Sequence, residues 1–366
     1  MKAVTQQENP AALSISLAHI ALRATGLALL MVLGSALMLT FIVGYFGYRY
    51  LHQISAASNR TPSELILLAK SAISVAPREK NPTFLILGTD TLANRGDIPP
   101  LTDTMLLASL NLKTGVTHLL PLPRDIWHEA YKTKINALYA YGLERYPSEP
   151  ARFPREVLQE MTGVPIEYTI VLDMAILSNL VDTLGGVSVS VPTSFVDNLF
   201  PNPGVDITNE RDPKKLYKTV TFTKGTEIMS GERFLEFIRS RHSDSVEGTD
   251  LARSQRQQVA LGALLRAITN RSLLKRPTTL GQLFSFYEDS LAASLPLNDI
   301  ASIVKALVMN SVTNVTVESQ AFSVQSSTNP GVLIHPDVKR TNNYWVYQIS
   351  DQALFREEAG LALDTL

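Results

Sequence analysis

The sequence predicts an α/β domain, a mixed sheet covered by helices, behind one N-terminal transmembrane helix. Three observations predict it. A charge-free apolar run extends from Ala24 to Tyr48; from Thr83 onward short apolar runs alternate with turn residues; and stretches of helical periodicity separate those runs. With 366 residues and 45% hydrophobic content the chain can bury a large core. Its formal net charge of -1 gives no global pull toward nucleic acid, so any anion binding must come from local clustering. The absence of cysteine excludes disulfides, thiolate metal sites and a cysteine nucleophile.

The first element is the apolar run, flanked by Arg23 and Arg49. As a helix it rises about 37 Å, enough to cross a hydrocarbon core of about 30 Å with some tilt. It is longer than the h-region of a cleaved signal peptide and no small-x-small site follows promptly, so it reads as an uncleaved signal anchor. Lys2 and Arg23 on one side and Arg49, Arg60, Lys70, Arg78 and Lys80 on the other leave the positive-inside rule undecided. Residues 51–80 read as a helical stalk closed by Pro77 and Pro82.

TFLILG (83–88), MLLASL (105–110) and VTHLLPL (116–122) read as strands, the last two as a hairpin around NLKTG. A helical stretch around Arg155–Thr162 precedes the strand YTIVL (168–172), a helix over Met174–Leu184 and, after Gly185-Gly186, the strand VSVSV (187–191). A loop rich in Pro, Asn and Asp (192–218) leads to FTKGTEIMSGERFLEFIRSR (222–241), helical in its second half, and then to a long helix over Asp250–Asn270. Two more helices and a strand over Val312–Val317 are expected in 281–320.

Three groups of residues could carry chemistry. Asp90, after TFLILG, and Asp103, in TDTM, are carboxylates at strand ends, where open α/β sheets bind ligands, and two such acids with phosphate oxygens suit Mg²⁺. The bland alternative is a pair of turn formers or helix caps. Arg239, Arg241, Arg253 and Arg256, with Gln257, form a basic cluster; Asp250, Arg253 and Gln257 share one helix face with Arg256 at its margin. Convergent guanidiniums bind pyrophosphate bidentately, whereas the bland reading is a solvated face balanced by Asp244, Glu247 and Asp250. Arg124, in Leu122-Pro123-Arg124-Asp125, is followed by Lys134 and Asn136, and shares a sheet edge with Asp90 if their strands run the same way. The six histidines show no metal-ligand spacing, and no P-loop, GxGxxG or GxSxG occurs. The basic patch alternates with acids and lacks stacking aromatics, which argues against nucleic acid as a partner.

FLILGTD, TDTMLLASLN, LPRD, KIN, VDTLGGVSV, GERFLEFIRSR and DLARSQRQQ follow one another across roughly residues 83 to 270, and in order and spacing they resemble the LytR-CpsA-Psr family. The resemblance implies an α-β-α sandwich around a central mixed sheet, outside the cytoplasmic membrane on a single-pass anchor. It implies transfer of a phosphoglycan from a polyprenyl-pyrophosphate-linked precursor to a peptidoglycan hydroxyl. By position it implies that Asp90 and Asp103 hold Mg²⁺, that Arg124, Arg239, Arg241, Arg253, Arg256 and Gln257 contact the pyrophosphate, and that Asp250 is a candidate general base, Arg124 and Arg253 acting in catalysis with it. The chain then divides into a cytoplasmic segment (1–23), the anchor (24–48), a stalk (49–82), the catalytic domain (83–320) and a C-terminal extension of uncertain role (321–366).

The loop from Arg241 to Asp250 is longer than the family's usual pattern, Pro121 stands where Ser is common, and the likeness fades beyond Pro296. Two other functions use the same features. One is a membrane-tethered envelope regulator, for which 23 residues ahead of the anchor are too few to fold as a reader. The other is a lipid-pyrophosphate hydrolase, in which water takes the place of the sugar hydroxyl.

Overall fold

A computed structural model describes residues 10–89, 100–202, 205, 210–341 and 344–365; of residues 10–30, 250, 251 and 340 it describes the backbone alone. Helix α1 (Pro10–Ser58) passes unbroken through the apolar run and into the expected stalk. Its last turns are packed into the domain. Arg60 meets Glu288 at 2.6 Å, and Gly281 of helix α7 (Pro277–Ser290) lies so close to Ile54 and Ala57 that a side chain there would overlap the Ile54 carbonyl oxygen. Helix α2 (Pro62–Ser74) starts with a capping box between Thr61 and Glu64. It is tied to helix α8 (Leu297–Met309) by Lys305, whose Nζ donates to the carbonyls of Ile73 and Val75 at 3.0 and 2.9 Å. The expected stalk is therefore part of the folded body.

The central sheet contains β1 (Thr83–Thr89), β2 (Thr102–Leu110), β3 (Val116–Pro121), β4 (Tyr168–Asp173) and, at its far edge, β9 (Thr316–Ser319), in the spatial order β9-β3-β2-β1-β4. β2 is antiparallel to both its neighbours, while β1 with β4 and β3 with β9 are parallel pairs. The sheet is mixed, and β1 and β3 run the same way.

Apolar runs without alternation mean burial on both faces, and β1 shows it. Leu85 and Leu87, both 0% exposed, face a core shared with Phe153, Val157 and Leu158 of α3 (Arg152–Thr162) and Phe355 and Ala359 of α9 (Gln352–Ala362). On the other face Ile86 and Gly88 look toward α4 (Met174–Leu184), α5 (Gly231–Arg239) and α6 (Asp250–Ile268). Helices on both faces make the predicted α-β-α sandwich.

VSVSV forms β5 (Val187–Val191), but it pairs with β8 (Gly225–Met229) in a two-stranded ribbon outside the central sheet. A second ribbon joins β6 (Phe195–Pro201) to β7 (Tyr217–Phe222). The strand expected at Val312–Val317 begins later, at Thr316. Residues 321–366, expected as an extension, supply part of the main core instead: Phe322 stacks on Phe355 at 4.1 Å, and Val332, Leu333 and Leu363 lie in the cluster with Leu85 and Leu120. A boundary at 320 would cut through this core.

Candidate functional site

The site is built at one edge of the sheet. β1 ends at Thr89 opposite Thr102, so Asp103, the second residue of β2, sits on the edge where β1 and β3 both end. Past β3 the chain turns through Leu122-Pro123, where the Ile126 N–H donates to the Pro123 carbonyl at 3.0 Å, and this turn presents Arg124. Arg124 Nη1 donates to Asp103 Oδ1 at 2.6 Å and its Nε lies 3.4 Å from Asp125 Oδ2, while Lys134 Nζ meets Asp125 Oδ1 at 2.5 Å. Asn136 fixes the turn through backbone groups: its N–H donates to the Arg124 carbonyl at 3.2 Å, and its own carbonyl accepts from Thr102 Oγ1 at 3.1 Å. The result is a chain of alternating charge, Asp103–Arg124–Asp125–Lys134, with each member half-buried or buried. The condition the sequence set for Arg124, that β1 and β3 run the same way, is met because β2 is antiparallel to both; Asp90 itself lies outside the described residues.

The second half comes from α5 and α6. Ser230 caps α5, and Gly231 behind it approaches α4 so closely that any Cβ would overlap the Ser178 carbonyl oxygen. Gly231 N–H also donates to Asp182 Oδ1 at 2.8 Å. α5 ends at Arg239, whose guanidinium lies 5.9 Å from the Phe200 ring centre, and the chain leaves the helix at Ser240 as the arginine spacing required. Thr249 caps α6, with its side chain accepting from the Ala252 N–H. One turn apart on α6, Arg253 is half-buried and Gln257 lines a cavity.

That cavity, roughly 70 Å³, lies between the sheet and α4, α5 and α6. Its walls are apolar: Ile86, Leu106, Leu172, Phe234, Ile238 and Leu264 are among them. Gly88, Thr104 and Gln257 also line it. Thr104 follows Asp103 in the chain and pairs with Gly88, and Gln257 lies one turn past Arg253, so the cavity is lined by chain neighbours of both charged groups. An apolar slot with Thr104 and Gln257 as its polar side chains fits an apolar chain that carries a polar group.

Arg256 is the correction. Expected among the pyrophosphate ligands, it is 1% exposed and Nε, Nη1 and Nη2 each donate to protein. Nε donates to the Phe237 carbonyl at 3.1 Å, Nη2 to the Ser240 carbonyl at 2.5 Å, and Nη1 to the Glu247 carbonyl and carboxylate at 2.8 and 2.7 Å. The Phe195 ring lies 4.6 Å from its guanidinium carbon. Burial lowers its pKa while Glu247 and Asp197 oppose that shift. The physical reason is the helix turn: three residues past Arg253, Arg256 points into the body, toward the loop that carries Arg239 and Arg241. Asp197, absent from the sequence-based candidates, completes the arrangement. It is 0% exposed, and its Oδ2 accepts the backbone N–H groups of Arg241 and His242 at 3.0 and 3.2 Å. Arg256 and Asp197 thus hold the carbonyl and amide groups of the same segment, with only the placement of Asp197 between two core phenylalanines, Phe195 and Phe200, to hint at it in the sequence.

Asp90 lies outside the described residues, and Asp250 is described only as the first backbone unit of α6. Among the described residues no group of three or more His, Cys, Asp or Glu gathers as a metal cage. Asp103, with Arg124 on one oxygen, therefore fits Mg²⁺ only together with phosphate oxygens and a further ligand, the manner in which this small hard ion is commonly held.

The family model described as the LytR_cpsA_psr family matches residues 48–359. The chain belongs to this family. The match runs through β9 and most of α9, which agrees with a core that includes residues beyond 320. Among curated LytR-CpsA-Psr relatives, the polyisoprenyl-teichoic acid–peptidoglycan teichoic acid transferase TagU of Bacillus licheniformis is 25% identical over 266 residues, 71% of this chain and 75% of that protein. The corresponding transferase TagV of Bacillus subtilis is 26% identical over 246 residues, 65% of this chain and 57% of that protein. The crystal structure of B. subtilis TagV has the same fold, with a TM-score of 0.53 at 19% identity over 79% of this chain and 99% of that one.

Proposed function

We propose that this LytR-CpsA-Psr protein is a membrane-anchored transferase acting outside the cytoplasmic membrane, moving a phosphoglycan from a polyprenyl-pyrophosphate carrier to a peptidoglycan hydroxyl. The observation that carries the reading is the apolar cavity lined by Thr104 and Gln257, chain neighbours of Asp103, which pairs with Arg124, and of Arg253; it suits a prenyl chain whose pyrophosphate meets those charged groups. The transferase names of the relatives support the same reading. α1 supports the anchor: within it Met31–Ser58 is long and apolar enough to cross a membrane, and residues 31–50 are exposed.

In the proposed reaction the acceptor hydroxyl oxygen attacks the phosphorus that bears the glycan. The bond from that phosphorus to the bridging oxygen breaks, polyprenyl phosphate leaves with the electron pair, and the hydroxyl proton passes to a base, for which Asp250 is the candidate. Arg124, Arg239, Arg241 and Arg253 bind and orient the two phosphates and meet the charge that develops on the leaving oxygen, so catalysis is positioning and electrostatics. Mg²⁺, when held by Asp103 and Asp90 with phosphate oxygens, supplies further charge neutralisation. Gln257, a neutral donor at the cavity, adds orientation.

The test is transfer of a lipid-linked glycan analogue to a peptidoglycan oligomer by the full chain with Mg²⁺, with analogue binding measured separately. Arg241→Ala and Arg253→Ala are each expected to slow transfer on the order of 10³-fold, Asp103→Ala to abolish the metal-dependent rate, and Gln257→Ala to cost far less. Near-normal turnover in both arginine variants would reduce that face to a solvated surface. Release of free phosphoglycan without acceptor adduct would make the enzyme a hydrolase.

A further inference from the structure

Beyond α6 the chain makes a short 3₁₀ helix, Arg271–Lys275, and two adjacent leucines in it have opposite environments. Leu273 is 6% exposed and belongs to the core that includes Leu264 and Phe237; Leu274 is 64% exposed. Burying the first forces the second outward. Arg271 precedes Leu274 by three residues, and side chains so spaced eclipse on a 3₁₀ helix. Lys275 follows directly, and both cations are exposed. From Gly262 to Gly281 the sequence has basic residues at 266, 271, 275 and 276 and no acidic one.

The position of this segment is fixed by α1. Tyr50 Oη donates to the Leu274 carbonyl at 2.7 Å. Tyr50 stands just past the end of the apolar run, among Tyr45, Tyr48 and Arg49, the residue types that collect at a membrane–water boundary. Two residues of helix separate Tyr48 from Tyr50, about 3 Å of rise, so the Leu274 backbone lies at the level where the run ends. Ile54 and Ala57 then pack on Gly281, which makes the junction between α1 and the domain a packed contact and not a tether.

We propose that Arg271–Lys275 is a second membrane contact, with Leu274 inserted at the headgroup boundary and Arg271 and Lys275 on the anionic headgroups of the leaflet from which α1 emerges. The proposal rests on reading α1 as a membrane anchor. An exposed leucine between cations is the chemistry of an interfacial segment, which gains from apolar insertion and from the negative surface potential together. It has a consequence for the site. α6 lines the cavity with Gln257, Ala260, Leu261 and Leu264 and ends at Ile268, about 16 Å from Gln257 and beside this segment. The cavity face of α6 thus leads from Gln257 toward the bilayer, where the prenyl chain of the proposed substrate would be anchored.

Because the chain has no cysteine, single cysteines can be labelled cleanly. Full chains with Met38→Cys, Leu274→Cys or Val246→Cys, each bearing an environment-sensitive fluorophore, are reconstituted in phosphatidylglycerol nanodiscs containing lipids spin-labelled at the headgroup or deep in the acyl chain. Deep labels are expected to quench position 38, headgroup labels position 274, and neither position 246, which is 80% exposed near the opposite end of α6. Quenching at 38 with none at 274 would overturn the proposal while leaving the anchor intact; no quenching at 38 would overturn the anchor itself. In the Leu274→Cys chain, Arg271→Glu with Lys275→Glu should abolish headgroup quenching, and unchanged quenching would overturn the electrostatic part.

Discussion

Replacing Arg256 by methionine keeps most of the side-chain stem and removes the guanidinium. The carbonyls of Phe237, Ser240 and Glu247 then lose their donor, and the Glu247 carboxylate loses its partner at 2.7 Å. With Arg256 1% exposed, water does not readily replace it. A hydrogen bond to a charged group contributes about 1.5–3 kcal/mol, and breaking one partner of a buried pair costs about 3–5 kcal/mol. These contacts share one guanidinium and do not add, so the expected loss is about 3–5 kcal/mol, a large part of the roughly 5–15 kcal/mol that holds a typical domain together. At about 2–4 °C per kcal/mol for a domain of this size, Tm should fall by roughly 6–20 °C. The assay is thermal and urea unfolding of the full chain in micelles, with Arg241→Met as the contrast. Arg241 is exposed, so its variant should melt near the parent while losing affinity for inorganic pyrophosphate. An Arg256→Met protein within about 1 kcal/mol of the parent, but defective in pyrophosphate binding, would refute the structural role and return Arg256 to the ligand set.

His128 lies on the short strand paired with Thr133–Lys134, its ring tilted against Tyr131 at 4.8 Å, and its Nδ1 is buried with no hydrogen-bond partner among the described residues. Burial depresses its pKa against the weaker pull of Glu160 and Glu129, so the folded state takes up a proton less readily than the unfolded chain. Its contribution is fully present above the unfolded value of about 6.5 and is lost as pH falls below it toward the folded value. His128→Phe should flatten the stability profile between about pH 7 and 5; equal slopes in urea titrations of the two proteins would contradict this. For topology, a reporter active only in the cytoplasm and fused after Leu366 should be silent, and strong signal from it would reverse the orientation and favour a regulator.

Local pattern made much of the fold legible. The 83–88, 105–110 and 116–122 strands, the turn between the last two, the Met174–Leu184 helix and the long helix from Asp250 appear where hydrophobic period and turn residues place them. VSVSV was readable as a strand but not as part of a separate ribbon, because alternation reports which face is buried and not which strand is the partner. In the site, Asp103 and Arg124 were legible as charges at strand ends; that they touch depends on β2 running against both neighbours. Asp197 left almost no signal, since its partners are backbone amides at 241 and 242, which no residue type reveals.

The sequence by itself determined the apolar span, the sandwich class, the family and the set of charged residues from which a site could be made. The family rests on the order and spacing of seven motifs, and the rest on composition or on spacing along single elements, all of which the covalent chain fixes. Only the tertiary structure decided what those charges do. Arg253 and Arg256 are three residues apart on one helix, close enough to be counted on one face. Yet one borders the candidate site and the other is sealed beneath the Arg239–Arg241 loop, because a helix turns about 100° per residue and the packing of α5 and β6 against it decides which side is closed to water.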